Sequence, residues 1–127
     1  MKILIIEDEV LLADSLRTML EGKGFSVEAV HDGETGAEYA ETGIYDLLIL
    51  DVMMPGMDGY EATRTIRLSE KVDAADIPII ALTANAFAED AKAAHDAGMN
   101  AHLSKPLDFN KLKNILVRIK KNGSVSL

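Results

Sequence analysis

Four short apolar runs in this chain each end on a residue that can take part in phosphate chemistry. Ile3-Leu4-Ile5-Ile6 ends on Glu7-Asp8, Leu47-Leu48-Ile49-Leu50 on Asp51, Pro78-Ile79-Ile80-Ala81-Leu82 on Thr83, and Ala101-His102-Leu103-Ser104 on Lys105-Pro106. If the runs are parallel strands of one sheet, their carboxyl ends share the edge at which open α/β sheets bind ligands. Three carboxylates, a hydroxyl and an ammonium then meet in one pocket. Acids so close repel and raise one another's pKa values, and a divalent cation relieves the repulsion. These strand ends offer only oxygen donors, and the chain has no cysteine, so hard Mg²⁺ is the natural ion, with Mn²⁺ or Ca²⁺ as substitutes. Asp51 can serve as a metal ligand alone, or it can also attack phosphorus to form an acyl phosphate. Lys105 can pair with phosphoryl oxygens and Thr83 can donate a hydrogen bond to them.

Each of these residues is ordinary by itself. An Asp at a strand end usually caps a helix, Thr83 before Ala84-Asn85 suits a turn, and Lys105 before Pro106 suits a solvated loop. What carries weight is that all of them fall at the same end of their runs, which chance rarely arranges.

The elements that must position them alternate strand and helix, the pattern of an α/β domain with a parallel sheet. Strand one is read from Lys2 to Glu7. The helix after it places Leu12, Leu16, Met19 and Leu20 on one face, and Gly22 and Gly24 stop it. Strand two, Phe25 to Val30, alternates apolar and polar residues, which marks an edge strand with one wet face. A short helix lies between Asp32 and Gly43. Strand three, Asp46 to Asp51, is apolar nearly throughout and therefore central. Val52 to Met57 is a loop turning at Pro55-Gly56. Asp58 then caps a helix that runs to about Ser69, with Glu61 completing a capping box. After a polar loop from Glu70 to Asp76 comes strand four, Pro78 to Thr83, then an alanine-rich helix from Phe87 to Ala97 closed by Gly98. A short edge strand follows. The last helix starts near Asp108, with Leu112, Ile115, Leu116 and Ile119 on one stripe. Two edge strands and three central ones fit a doubly wound five-stranded sheet of order 2-1-3-4-5. Right-handed crossovers then put helices on both faces, and Glu7, Asp8 and Asp51 meet at the switch point.

Bulk properties narrow the function. The 127 residues suit one domain, and 48% hydrophobic content supplies a core. A net charge of −8 without a Lys/Arg cluster argues against direct nucleic-acid binding. No apolar stretch approaches the roughly 20 residues that span a bilayer, so no membrane insertion is expected. The absence of cysteine and of a signal peptide suits the cytoplasm. Met53, Met54 and Met57 read as loop packing, His31 and His95 as surface residues, and half of the small-residue face from Ala84 to Ala94 as core.

With these residues in view, the chain resembles a bacterial two-component response-regulator receiver domain (chemotaxis-regulator-like) over essentially its whole length. The carriers are Ile5-Ile6-Glu7-Asp8-Glu9, Leu50-Asp51-Val52-Met53-Met54-Pro55-Gly56-Met57-Asp58-Gly59, Ala81-Leu82-Thr83-Ala84 and Leu103-Ser104-Lys105-Pro106. The resemblance implies a flavodoxin-like receiver over residues 1–121, with 122–127 as a tail. It implies that Asp51 accepts a phosphoryl group from a histidine, in a self-directed reaction rather than catalysis on a separate substrate. Asp8, with Glu7 mostly through water, Asp51 and the backbone carbonyl of Met53 would hold Mg²⁺. Lys105 and Thr83 would bind the phosphoryl oxygens. Thr83 and His102 would act as the switch, Met53 and Asn85 would tune the phosphoryl lifetime, and the Lys105–Pro106 bond would be cis. Partners would be a histidine kinase or a histidine phosphotransfer protein, with a weak or phosphorylation-dependent dimer of the chain itself. Glu7 departs from the usual Asp, and His102 replaces the usual Tyr or Phe, leaving a smaller and more polar ring whose switching is expected to sense pH. The stretch Gly98 to Leu107 looks like receivers of hybrid sensor kinases, whereas the first half looks like receivers of transcription factors. No effector domain follows the last helix in this sequence.

Two other classes compete. A haloacid-dehalogenase-type Mg²⁺ phosphatase with an aspartyl nucleophile would want a second acid two residues after it, where Met53 stands. A flavodoxin-like cofactor binder would want a phosphate-cradling loop after strand one, where Glu7-Asp8-Glu9 would repel phosphate.

Overall fold

A computed structural model describes residues 1–70, 76–84, 88–105 and 107–121. Among them strands and helices alternate as β1 (Lys2–Ile6), α1 (Val10–Glu21), β2 (Ser26–Val30), α2 (Gly33–Ala40), β3 (Leu47–Asp51), α3 (Gly59–Arg67), β4 (Ile79–Thr83), α4 (Ala88–Ala97), β5 (Ala101–Ser104) and α5 (Phe109–Lys121). The strands form one parallel sheet in the order β2-β1-β3-β4-β5, as the strand patterns predict.

The central strands are apolar on both faces because both faces are covered, the usual state of a parallel sheet. Leu4 and Ile6, Leu48 and Leu50, and Ile79 and Ala81 pack beneath α2, α3 and α4, with Ala37, Ala62, Ile66 and Ala94. Ile3 and Ile5, Leu47 and Ile49, and Ile80 and Leu82 pack beneath α1 and α5, with Leu16, Leu20, Leu112, Ile115, Leu116 and Ile119. Each strand's two-residue period thus feeds two separate cores. All four predicted stripe residues of α5 are buried. In α1 the buried line is Ala13, Leu16 and Leu20, while Leu12 and Met19 are only half-buried, so the predicted face is rotated slightly.

The edge strand β2 departs from simple alternation. Ser26 is exposed, but Glu28 is engaged: Lys2 Nζ lies 2.9 Å from its Oε1, and the Tyr45 hydroxyl donates to its Oε2 at 2.6 Å. A side chain that reads as solvated instead ties β1, β2 and the segment before β3 together. On α4, Ala94 and Ala97 are buried, Ala91 is half-buried and Ala93 is exposed, and Ala84, just after β4, is exposed too, consistent with core on only part of that small-residue stretch. Of the loop methionines Met54 is buried, Met57 half-buried and Met53 71% exposed, so loop packing describes the first two only. The expected helix start at Phe87, the role of Asn85, the geometry of the Lys105–Pro106 bond and the tail at 122–127 lie outside the described residues, as does most of the polar loop after Glu70.

Candidate functional site

Register brings the chemical residues to one edge. Ile6 pairs with Leu50, so Glu7 stands level with Asp51, while Asp51 pairs with Leu82 and Thr83 with Ser104. Glu7 continues the alternation of Ile3 and Ile5, Asp51 that of Leu47 and Ile49, and Lys105 that of Ala101 and Leu103, all on the α1/α5 face. Thr83 continues the alternation of Ile79 and Ala81 and so belongs to the opposite face. It reaches the same edge, fully buried, and its backbone carbonyl accepts the Lys105 N–H at 2.8 Å. The sequence grouping of five residues is therefore resolved into a charged set on one face and a hydroxyl-bearing residue beside it.

The charged set is tight. One oxygen from each of Glu7, Asp8 and Asp51 falls within 4.8 Å of the others. Lys105 Nζ lies 2.9 Å from Glu7 Oε1 and 3.4 Å from Asp51 Oδ2. Glu7 has no exposed surface and Asp51 only 2%, whereas Asp8 is half-exposed at the mouth. The Glu9 N–H donates to Glu7 Oε2 at 3.1 Å and the Met53 N–H to Asp51 Oδ1 at 3.1 Å.

The loops that frame the set are fixed by caps and close packing. Asp58 accepts the Glu61 N–H at 2.9 Å, forming one half of the predicted capping box. Gly59 sits where a Cβ would come within 2.3 Å of the Asp51 carbonyl oxygen, so only glycine lets α3 start so close to the end of β3. Asp32 caps α2 through the Thr35 N–H at 2.7 Å. His31 is exposed, yet its Nδ1 lies 3.0 Å from the Glu7 carbonyl oxygen. Sequence patterning shows neither the close approach of Gly59 to Asp51 nor the contact of His31 with Glu7, because both depend on how separate elements meet. His102 is half-buried on β5; its neighbours in two surface cavities are His95 and Met99 on one side, and Lys111 and Arg118 on the other.

The electrostatics follow from this geometry. Burial, then the nearby Asp51 carboxylate, pushes the Glu7 carboxyl up from its usual 4.5 to about 7, although Lys105 works against the rise. For Asp8, burial works upward, but the contacts with Glu7 and Asp51 outweigh it and the net direction is down. Burial alone would lower Lys105, and its acidic neighbours, Glu7 first, raise it instead. The shifts of Glu7 and Lys105 are compatible: the crowded acids hold the ammonium in its charged form, while burial and Asp51 work against the charge on Glu7.

The residues fit a hard divalent cation. Lys105 offsets one of three carboxylate charges, and Glu7 Oε1, though close to Lys105, is buried without a well-directed hydrogen bond. All-oxygen donors with residual negative charge suit Mg²⁺. Among the described residues this is the one cluster able to hold a metal, and no helix among them is long and apolar enough to cross a membrane.

Comparison with known proteins agrees with this geometry. The family model of the response regulator receiver domain matches residues 3–117. The chain is 35% identical over 112 residues to the transcriptional regulatory protein DltR of Streptococcus agalactiae, covering 88% of this chain and 48% of DltR. It is 36% identical over 126 residues to probable histidine kinase 2 of rice, covering 88% of this chain and 12% of the kinase. The chain thus spans about half the length of the regulator and a small part of the kinase. Among solved structures, the receiver domain of the sensor histidine kinase PA1611 from Pseudomonas aeruginosa, with a magnesium ion coordinated in its active-site cleft, aligns with a TM-score of 0.83 at 40% identity, covering 92% of this chain and 94% of that one. Relatives of both kinds read from the two halves of the sequence, transcriptional regulators and histidine kinases, are therefore present.

Proposed function

The chain belongs to the response regulator receiver domain family of two-component systems, and from that premise we propose that Asp51 is its phosphoacceptor in a Mg²⁺-dependent transfer from a phosphohistidine. The observation that carries this reading is the placement of Asp51, nearly buried at the end of the central strand, with Lys105 3.4 Å away and Glu7 and Asp8 beside it. The position that a haloacid-dehalogenase-type phosphatase would fill with a second acid, two residues after Asp51, holds the exposed thioether of Met53, which can neither give nor take a catalytic proton.

An Asp51 oxygen forms the O–P bond as the N–P bond of the donor breaks. The departing imidazole keeps the proton on its other nitrogen and leaves neutral. The Met53 N–H, already directed at Asp51 Oδ1, holds the carboxylate in place. Lys105 turns its ammonium from the acids to the incoming phosphoryl oxygens, and Thr83 supplies a hydroxyl donor. Asp8 and Asp51, Glu7 through water and the Met53 carbonyl would hold Mg²⁺, with Mn²⁺ or Ca²⁺ as substitutes. Bound there, the ion supplies positive charge against the acids and the phosphoryl oxygens. The chemistry is directed at the chain's own carboxylate. Thr83 and His102 then relay the change to α4, β5 and α5. The chain works in the cytoplasm, and its partners are a histidine kinase or histidine phosphotransfer protein and, in a weak or phosphorylation-dependent dimer, a second copy of the chain.

The test is incubation with acetyl phosphate followed by intact-mass measurement. A single phosphoryl adduct is expected with Mg²⁺, a strongly reduced yield in EDTA, and slower formation in Lys105→Ala. An adduct that forms equally well in EDTA overturns the reading.

A further inference from the structure

At the edge of the sheet remote from the acids, a single guanidinium collects oxygens from three residues in two segments, the approach to β4 and the link between α4 and β5. Arg67, in the last turn of α3, is half-buried. Its Nη1 donates to the Ile77 carbonyl at 2.6 Å, its Nε and Nη2 to the Gly98 carbonyl at 3.0 and 2.8 Å, and its Nη2 to Asn100 Oδ1 at 2.9 Å. Asn100 is itself bound to the foot of β4, because its Oδ1 accepts the Ile79 N–H at 2.8 Å and its own N–H donates to the Ile79 carbonyl at 2.8 Å.

Gly98 is the residue that ends α4. It adopts φ +106, and its N–H donates to the His95 carbonyl while Met99 donates to that of Ala94. This left-handed turn exposes the Gly98 carbonyl sideways, where Arg67 takes it with two donors. A Cβ at Gly98 would lie 3.1 Å from Arg67 Cγ, so the aliphatic stem of the arginine is pressed against the turn as well. A planar fork with several fixed donors can hold carbonyls from separate segments at once, which a lysine ammonium cannot do with the same geometry.

We infer that Arg67 staples the carboxyl end of α4 to α3 and to the foot of β4, so that any rearrangement of α4 on phosphorylation is a pivot about Gly98 and not a translation of the whole helix. The staple itself rests only on the hydrogen bonds above; the pivot rests also on the proposed phosphoacceptor role of Asp51. Thr83, at the other end of β4, is where the phosphoryl signal would enter, and Arg67 fixes the opposite end of the lever. Burial raises the cost of holding a charge there, and the named oxygens offset that cost by each satisfying a donor. Removing the fork therefore loosens Gly98, Met99 and Asn100 together.

The experiment is amide hydrogen exchange and amide NMR on the full chain, with and without Mg²⁺ and beryllofluoride, for the parent and Arg67→Lys. Asn100→Ser serves as the second variant, because it removes one acceptor while keeping a small polar side chain. Without beryllofluoride, exchange at Gly98, Met99 and Asn100 should quicken about tenfold or more in either variant, with the β1 amides unchanged. With beryllofluoride, shift changes in the parent should die away along α4 before Gly98, and in the variants they should extend through Asn100. Unchanged local exchange in both variants overturns the staple. Parent shift changes at Gly98 to Asn100 as large as those at Thr83 overturn the pivot. Absence of any beryllofluoride response at Asp51 overturns the phosphoacceptor reading and the pivot with it, while the exchange result still decides the staple.

Discussion

Replacing Glu7 by Gln should stabilise the metal-free protein at pH 8 and leave it nearly unchanged near pH 5. Glu7 has no exposed surface, and burial followed by the neighbouring Asp51 lifts its carboxyl from 4.5 to about 7. A folded-state value above the unfolded one means that the native chain binds more protons across that window. Stability from Glu7 is therefore fully present below about pH 4.5 and is lost as pH rises through about 7. At about 1.4 kcal/mol for each pH unit between the two values, the loss comes to about 3–4 kcal/mol. Glu7 lies just beneath a cleft whose other wall, Asp8, is half-exposed, and screening by water there trims the expectation to roughly 1–3 kcal/mol. Against a domain stability of roughly 5–15 kcal/mol, that is readily measured. The acids whose values are lowered, Asp8, Glu28 and Asp32, change protonation below this window, and the raised Lys105 changes above it. The amide is neutral throughout and can still accept from Lys105, so the difference between parent and variant isolates Glu7. Urea unfolding in EDTA at pH 5, 6.5 and 8 is the assay. The variant should exceed the parent at pH 8 by roughly 1–3 kcal/mol, and Mg²⁺ should narrow or reverse the gap by binding the folded parent more tightly than the folded variant. A parent that is as stable as the variant at pH 8, or a gap that does not shrink toward pH 5, refutes the reasoning.

Three further outcomes are expected. Asp8→Ala should weaken Mg²⁺ by more than about 100-fold and Glu7→Gln by about tenfold, because Asp8 faces the open cleft while Glu7 is held by Lys105; calorimetric titration with equal or inverted losses would contradict that division. Met53→Asn should shorten the acyl phosphate lifetime by more than about twofold, since an amide can direct a water where the exposed thioether cannot; an unchanged rate of adduct loss counts against the placement. Gly59→Ala should cost about 1–3 kcal/mol and reduce phosphorylation, as its Cβ would meet the Asp51 carbonyl oxygen; thermal unfolding and adduct yield measured together test both effects.

Sheet order, the edge and central strands and the meeting of Glu7, Asp8 and Asp51 are legible in the sequence. Apolar runs with two buried faces read as central strands, and identical strand directions bring their ends together. The parity of Thr83 was available too, since it follows from counting residues along β4, but it acquires meaning only when the two cores are assigned to faces. Contacts between residues distant in the chain are not legible. Glu28 reads as solvated until Tyr45 and Lys2 arrive from other elements. Nothing in the residues around Arg67 announces Ile77, Gly98 and Asn100 as its partners. The hold of Glu7 on Lys105 depends on a side-chain geometry that spacing does not encode.

The account's central claim is that Asp51 alone carries the phosphoryl group. Treating the acetyl-phosphate-reacted protein with hydroxylamine converts an acyl phosphate into a hydroxamate at the carboxylate that bore it, and peptide mass spectrometry then locates it. The account predicts a hydroxamate on Asp51, none on Glu7 or Asp8, and none anywhere in Asp51→Asn. A hydroxamate on another acid of the parent, or an adduct that persists in Asp51→Asn with unchanged yield, would contradict it.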